Sequence, residues 1–159
     1  MTRQEVRDRD VARLMTVHAL LRDKVGRIQA AMETLGFPMT VTAAVRTADE
    51  QFVLFKKGRI QVNGIWVPIA PVNRMGIVTN ADGFVKLSNH QPKDDGLGRA
   101  CDCVFLVDGP DRDNELDTPS WNEAHPWLAY GHIAEALGLR WLGRGPTLRD
   151  LPHIEERSV

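Results

Sequence analysis

The stretch "ACDCVFLV", residues 100–107, constrains the fold more than any other feature of the sequence. It has the length and composition of a β-strand, yet one carboxylate, Asp102, interrupts it. Its neighbours Ala100, Cys101, Cys103, Val104 and Phe105 are apolar or small, so the strand is expected to be buried on at least one side. An unpaired carboxylate there costs several kcal/mol unless a cation, a hydrogen-bond donor or solvent meets it. Spacing alone leaves a partner arginine and a metal ion equally open. The two cysteines fall on one face of such a strand, with Cα atoms roughly 6.5–7 Å apart, at the edge of disulfide geometry. They read as small buried thiols, because one Cys-x-Cys without a second pair is a weak metal signal.

The rest of the chain supplies what packs around that strand. Leu14, Leu21, Val25, Ile28, Met32 and Leu35 recur at helical spacing, which predicts one amphipathic helix over residues 10–35, stopped by "GFP". Residues 1–9 are expected to be a flexible lead-in, and His18 to sit at the edge of the core. "MTVTAAV" (39–45) predicts a strand. "RTADEQFVLFKKGR" predicts a helix with Thr47 as N-cap and Glu50 completing a capping box. "IQVNGIWVPI" predicts a hairpin turning at Asn63-Gly64. "GFVKL" (83–87) predicts a strand, "DGPDRDNELDTPS" (108–120) a solvated acidic loop, residues 123–138 a helix, and "HIEER" a final strand. This order favours a single domain of the α+β class, a small antiparallel sheet with flanking helices, over all 159 residues.

Formal charge is −1, which provides no electrostatic footprint for nucleic acid. No apolar run approaches the roughly 20 residues that span a bilayer, and the charged start "MTRQEVRDRDVARL" lacks a signal-peptide core. A chain made in the cytoplasm, without membrane insertion and acting as a monomer, is the expectation.

His90 and His153 stand at strand ends on either side of Asp102 in the sequence. Two neutral imidazoles and a carboxylate are a common hydrolytic metal set. Here "SNH", "GLGRACD" and "RDLPH" resemble the zinc signature of the M15 peptidases: Ser-x-His, Gly-x-Ala-x-Asp and Asp-x-x-His. "VRTADEQFVLFKKGR", "GIVTNADG" and "WLAYGHIAEALGLRWLGRGPTLRDLPHIE" resemble further segments of that family in its order, over roughly residues 10–156. The branch most similar is that of the L-alanyl-D-glutamate endopeptidases found in phage endolysins.

The resemblance implies a Hedgehog/DD-peptidase-like fold and one Zn2+ held by His90, Asp102 and His153. It implies Asp150 as the catalytic carboxylate and Arg46 as the group that meets the developing oxyanion. Gln51 is expected to orient Arg46 or the substrate, and Ser88 to support the site behind His90. For Arg46 the alternative is a salt bridge to Asp49 or Glu50; for Asp150 it is a solvated turn paired with Arg149. His125 and His132 match no ligand position. The His90–Asp102 interval is longer than the family's, so "QPKDD" is expected to bulge, with Gly98 restoring the strand and Asp94 and Asp95 solvated.

Three functions are carried forward. The first is a zinc peptidase that cuts the peptidoglycan stem peptide at L-Ala–D-Glu, a phage or prophage lysis enzyme reaching the wall by release or assisted export. The second is a D-Ala-D-Ala carboxypeptidase or dipeptidase. The third is a non-catalytic zinc-binding module that recognises the wall.

Overall fold

The computed structural model describes residues 2–72, 74–109, 116–145 and 149–157. In chain order the elements are α1 (Arg3–Leu14), α2 (Ala19–Thr34), β1 (Met39–Ala43), α3 (Ala48–Lys56), β2 (Arg59–Val62) and β3 (Ile65–Pro68). They are followed by β4 (Ala100–Asp108), β5 (Leu116–Ser120), α4 (Trp127–Ala136), β6 (Leu139–Trp141), a 3-10 turn (Leu142–Arg144) and β7 (His153–Glu156). The α+β expectation holds. One antiparallel sheet runs β1-β4-β7-β6, with β5 also paired to β4, and β2-β3 form a separate hairpin. Among the described residues no helix is long and apolar enough to cross a membrane.

β4 is the centre of the sheet. Along one edge it pairs first with β7, at Ala100–Asp102, and then with β5, at Phe105–Asp108. Cys101, Cys103 and Phe105 join the core with Leu21, Val25, Ile28 and Met32 of α2 and Tyr130 and Ala134 of α4. Both cysteines are free and fully buried, as their surroundings predict. The α3 capping box forms as expected, with Thr47 Oγ1 accepting from the Glu50 N–H at 3.2 Å. The hairpin turns at Asn63 and Gly64, both at positive φ, the geometry that favours Asn-Gly.

Several expectations need correction. The single helix over 10–35 is two, because Val17 leaves the helical path to bridge Gly98, with His18 N–H donating to Gly98 O at 3.0 Å. Residues 3–9 are helical rather than a flexible lead-in. A capping box at Thr2 and Glu5 starts α1, and Val6 is buried. "GFVKL" forms no strand, since Asp82 Oδ1 accepts from the N–H groups of Phe84, Val85 and Lys86 and curls the segment into a turn.

Part of the acidic loop, residues 110–115, lies outside the described residues. Leu116–Ser120 are strand β5, and Asp117 within it is buried. The helix expected over 123–138 starts at Trp127, directly after Pro126. "GLRW" contains an edge strand, β6. The 91–97 excursion ends as a bridge between Gly98 and Val17, and β4 begins only at Ala100. Asp95 is exposed, as expected, and also pairs with Arg99 at 2.7 Å.

Candidate active site

Strand register brings the first two site residues together. Asp102 of β4 lies directly opposite His153 of β7, and cross-strand partners have Cβ atoms roughly 5 Å apart. His90 arrives from a turn rather than a strand. Its N–H donates to Ser88 Oγ at 3.2 Å, and its carbonyl accepts from the Arg46 N–H at 3.0 Å. Ser88 thus braces the backbone of His90. The three side chains converge, with His90 Nε2 and His153 Nδ1 each 3.1 Å from Asp102 Oδ1 and 3.2 Å from each other. Among the described residues these are the three members of the one His/Cys/Asp/Glu group compact enough to hold a metal ion.

The hydrogen bonds behind the histidines test whether a cation fits. His90 Nδ1 lies 2.6 Å from Ala44 O. A carbonyl only accepts, so Nδ1 carries the proton and Nε2 presents a lone pair. His153 Nε2 lies 3.1 Å from Glu155 Oε2. Burial alone raises the Glu155 pKa, but hydrogen bonds from His153 and Asn89 and the charges of His153 and Arg140 outweigh it and lower the value to about 2. Glu155 is therefore a carboxylate, and His153 Nδ1 is the free nitrogen.

These three atoms packed this closely repel one another unless a cation, either a proton on His153 Nδ1 or a metal ion, sits between them. Four-coordinate ligands about 2.0–2.2 Å from zinc are ~3.3 Å apart, close to the spacings seen, and the buried carboxylate–histidine pair is the usual support for such a ligand. The donor set fits zinc.

Asp102 has a second partner. Arg46 Nη2 donates to its Oδ2 at 3.4 Å while Nη1 donates to Gln51 Oε1 at 2.9 Å. Gln51 is fully buried and donates onward to Thr79 Oγ1 and Ala81 O, so its amide is locked and fixes the guanidinium in turn. Arg46 makes no pair with Glu50, whose carboxylate caps α3.

Asp150 lies in the bend that leads into β7, and every carbonyl of that bend is held. Asp150 N–H donates to Leu142 O, Trp141 Nε1–H to Leu151 O at 2.8 Å, Tyr130 O–H to Pro152 O at 2.8 Å, and His153 N–H to Asp150 O. Burial first, and then the charge of Asp102, push the Asp150 carboxyl above its ordinary pKa. That is the direction a proton-shuttling carboxylate needs.

Asp102 and Asp150 line two clefts at once. One, of about 590 Å³, runs past Arg46, Lys57, Lys86 and Arg140. The other, of about 330 Å³, runs past Trp121, Trp127 and Arg149. Glu155 and Asn89 escaped the reading of the sequence, although His-x-Glu on a strand puts Glu155 on the face of His153. His125 bonds Ser120 Oγ at 2.8 Å, and His132 is exposed, both away from the cluster.

The antiparallel α+β fold thus carries a buried His/Asp/His cluster whose donors could hold a metal ion. The fold likeness is to the crystal structure of the Serratia marcescens L-Ala D-Glu endopeptidase ChiX, with a TM-score of 0.53 and 21% identity, over 94% of this chain and 86% of that one. In sequence the chain is 27% identical over 143 residues to the peptidoglycan L-alanyl-D-glutamate endopeptidase CwlK of Bacillus subtilis (strain 168), covering 87% of this chain and 72% of that protein. No family model matches the chain. Sequence and fold together bear out the resemblance to M15-type peptidases of the L-alanyl-D-glutamate endopeptidase branch.

Proposed function

We propose that this chain is a zinc peptidase that hydrolyses the L-Ala–D-Glu bond of the peptidoglycan stem peptide. The observation that carries the reading is the meeting of His90 Nε2, His153 Nδ1 and Asp102 Oδ1, with Asp102 and Asp150 lining two clefts. An endopeptidase has chain to accommodate on both sides of the bond, whereas a carboxypeptidase has almost none on one side. Likeness to CwlK over most of both chains supports the same bond.

In this mechanism His90, Asp102 and His153 would hold one zinc ion, which would supply Lewis acidity and make water acidic enough to ionise to hydroxide near neutral pH. Asp150 accepts a proton from the attacking water on a carboxylate oxygen as the new C–O bond forms. It returns that proton to the D-Glu nitrogen as the C–N bond breaks, which leaves a carboxylate on L-Ala and an amine on D-Glu. Arg46 uses two of its five N–H donors on Gln51 and Asp102, and the others meet the oxyanion. One chain, one ion and one stem peptide suffice.

Digestion of purified peptidoglycan, followed by identification of the new termini, tests this. New N-terminal D-Glu is expected, and its loss on chelation. Released D-Ala would replace the reading with a carboxypeptidase. Zinc bound without any new terminus would replace it with a wall-recognition module.

A further inference from the structure

The two clefts differ in chemistry. Beyond the shared Asp102 and Asp150, the larger one presents the ammonium groups of Lys57 and Lys86, both exposed. Neither has an ion-pair partner among the described residues. Arg140 stands on the same wall, 64% exposed and 3.1 Å from Glu155. The smaller cleft carries one charge of each sign beyond the site, Glu123 and Arg149, and two tryptophans, Trp121 and Trp127. Trp121 is 56% exposed there, although an indole of that size is normally covered or engaged.

The proposed substrate is equally lopsided about its scissile bond. On the amine side D-Glu continues through its γ-carboxyl, so a free α-carboxylate stands next to the bond being cut. On the acyl side a single L-Ala, neutral and small, is followed by the lactyl group and ring of the muramyl sugar. The C–H face of a sugar ring is apolar and flat enough to lie on an indole, while its hydroxyls stay in water.

We propose that these clefts give the stem peptide a fixed direction: Lys57 and Lys86 take the D-Glu side through its α-carboxylate, and Trp121 takes the muramyl side. The proposal rests on the endopeptidase reading above. It adds specificity determinants on both flanks, and it accounts for two unpaired cations and one bare indole bordering the same site.

Three substrates and two variants test it: a muramyl stem tripeptide, the same peptide N-acetylated in place of the sugar, and a muramyl peptide whose D-Glu α-carboxylate is an amide. The native enzyme is expected to show a higher kcat/KM for sugar over acetyl and for acid over amide. Lys57→Gln combined with Lys86→Gln should collapse the acid-over-amide ratio, by about fivefold for each ammonium lost, while the sugar-over-acetyl ratio persists. Trp121→Ala should do the converse. All three side chains are exposed, so the variants keep the core. The proposal is overturned if neither ratio moves, or if the lysines govern the sugar and the tryptophan the carboxylate. A native enzyme that frees no D-Glu terminus from any of the three overturns the endopeptidase reading itself, and this direction with it.

Discussion

His153 uses its two nitrogens differently: Nε2 is committed to Glu155, and Nδ1 faces Asp102 and His90. Burial alone pulls the ring's pKa down, but hydrogen bonds to Asp102 and Glu155 and the charge of Asp102 outweigh it and raise it to about 10. Without a metal, then, a proton on Nδ1 serves as the cation at neutral pH, and zinc must displace it. Binding near pH 7 should release about one proton, and affinity should fall about tenfold for each pH unit below that. Calorimetric titration in buffers of different ionisation heat measures the release; none at all would mean that His153 Nδ1 carries no proton in the metal-free protein. Glu155→Gln should weaken zinc binding about 10- to 100-fold, because the amide no longer holds the ring as a carboxylate does; a competition titration reads this independently of turnover. Asp150→Asn should keep the metal and lower kcat by about 10²- to 10⁴-fold. Unchanged turnover would take Asp150 out of the chemistry.

The elements set the precision of that chemistry through one aromatic ring. Trp141, at the end of β6, lies between Gly131 of α4 and Gly143 of the 3-10 turn, so close that a Cβ at either glycine would run into the indole. Its Nε1–H in turn holds Leu151 O, next to Asp150. Gly131→Ala should therefore cost about 1–3 kcal/mol by overpacking, seen as a lower denaturation midpoint, and should also reduce kcat as the Asp150 bend shifts. An unchanged midpoint would mean the ring does not occupy that slot. The β4–β7 register is the other critical setting: a slip of one residue would turn Asp102 and His153 to opposite faces.

At the scale of the whole molecule, the site concentrates acids that stay charged when buried. The hydrogen bonds and cations around Glu155 hold it at about 2, below the ordinary 4.5. Burial also works against the charge on Asp102, but His90 and His153 overcome it and keep that carboxyl far below its usual range. For a lowered carboxylate the stabilisation is fully present above the unfolded pKa and is lost as pH falls toward the folded one. The metal-free protein should thus lose stability as pH drops from about 4.5 toward 2, and Glu155→Gln should flatten that slope. Urea midpoints measured across this range check both statements.

Local chemistry was open to reading in the residue order. Thr47 and Glu50 announce the start of α3, Asn63-Gly64 announces its hairpin, and apolar spacing marks α2 and α4. Each depends on residues a few positions apart. The donor types at His90, Asp102 and His153 were legible in the same way, as motifs. The break between α1 and α2, the strands β5 and β6, and the loss of the strand at 83–87 were not, because each is decided by a distant partner or by a side chain that bonds the backbone instead. The linear order of residues thus determined which atoms can bind a cation. Only the folded arrangement decided that they meet, which nitrogen each imidazole turns toward the cluster, and that Asp102 and Asp150 line two clefts, because these depend on strand register and on contacts such as those of His90 with His153, 63 positions apart in the chain, and of Asn89 with Glu155, 66 apart.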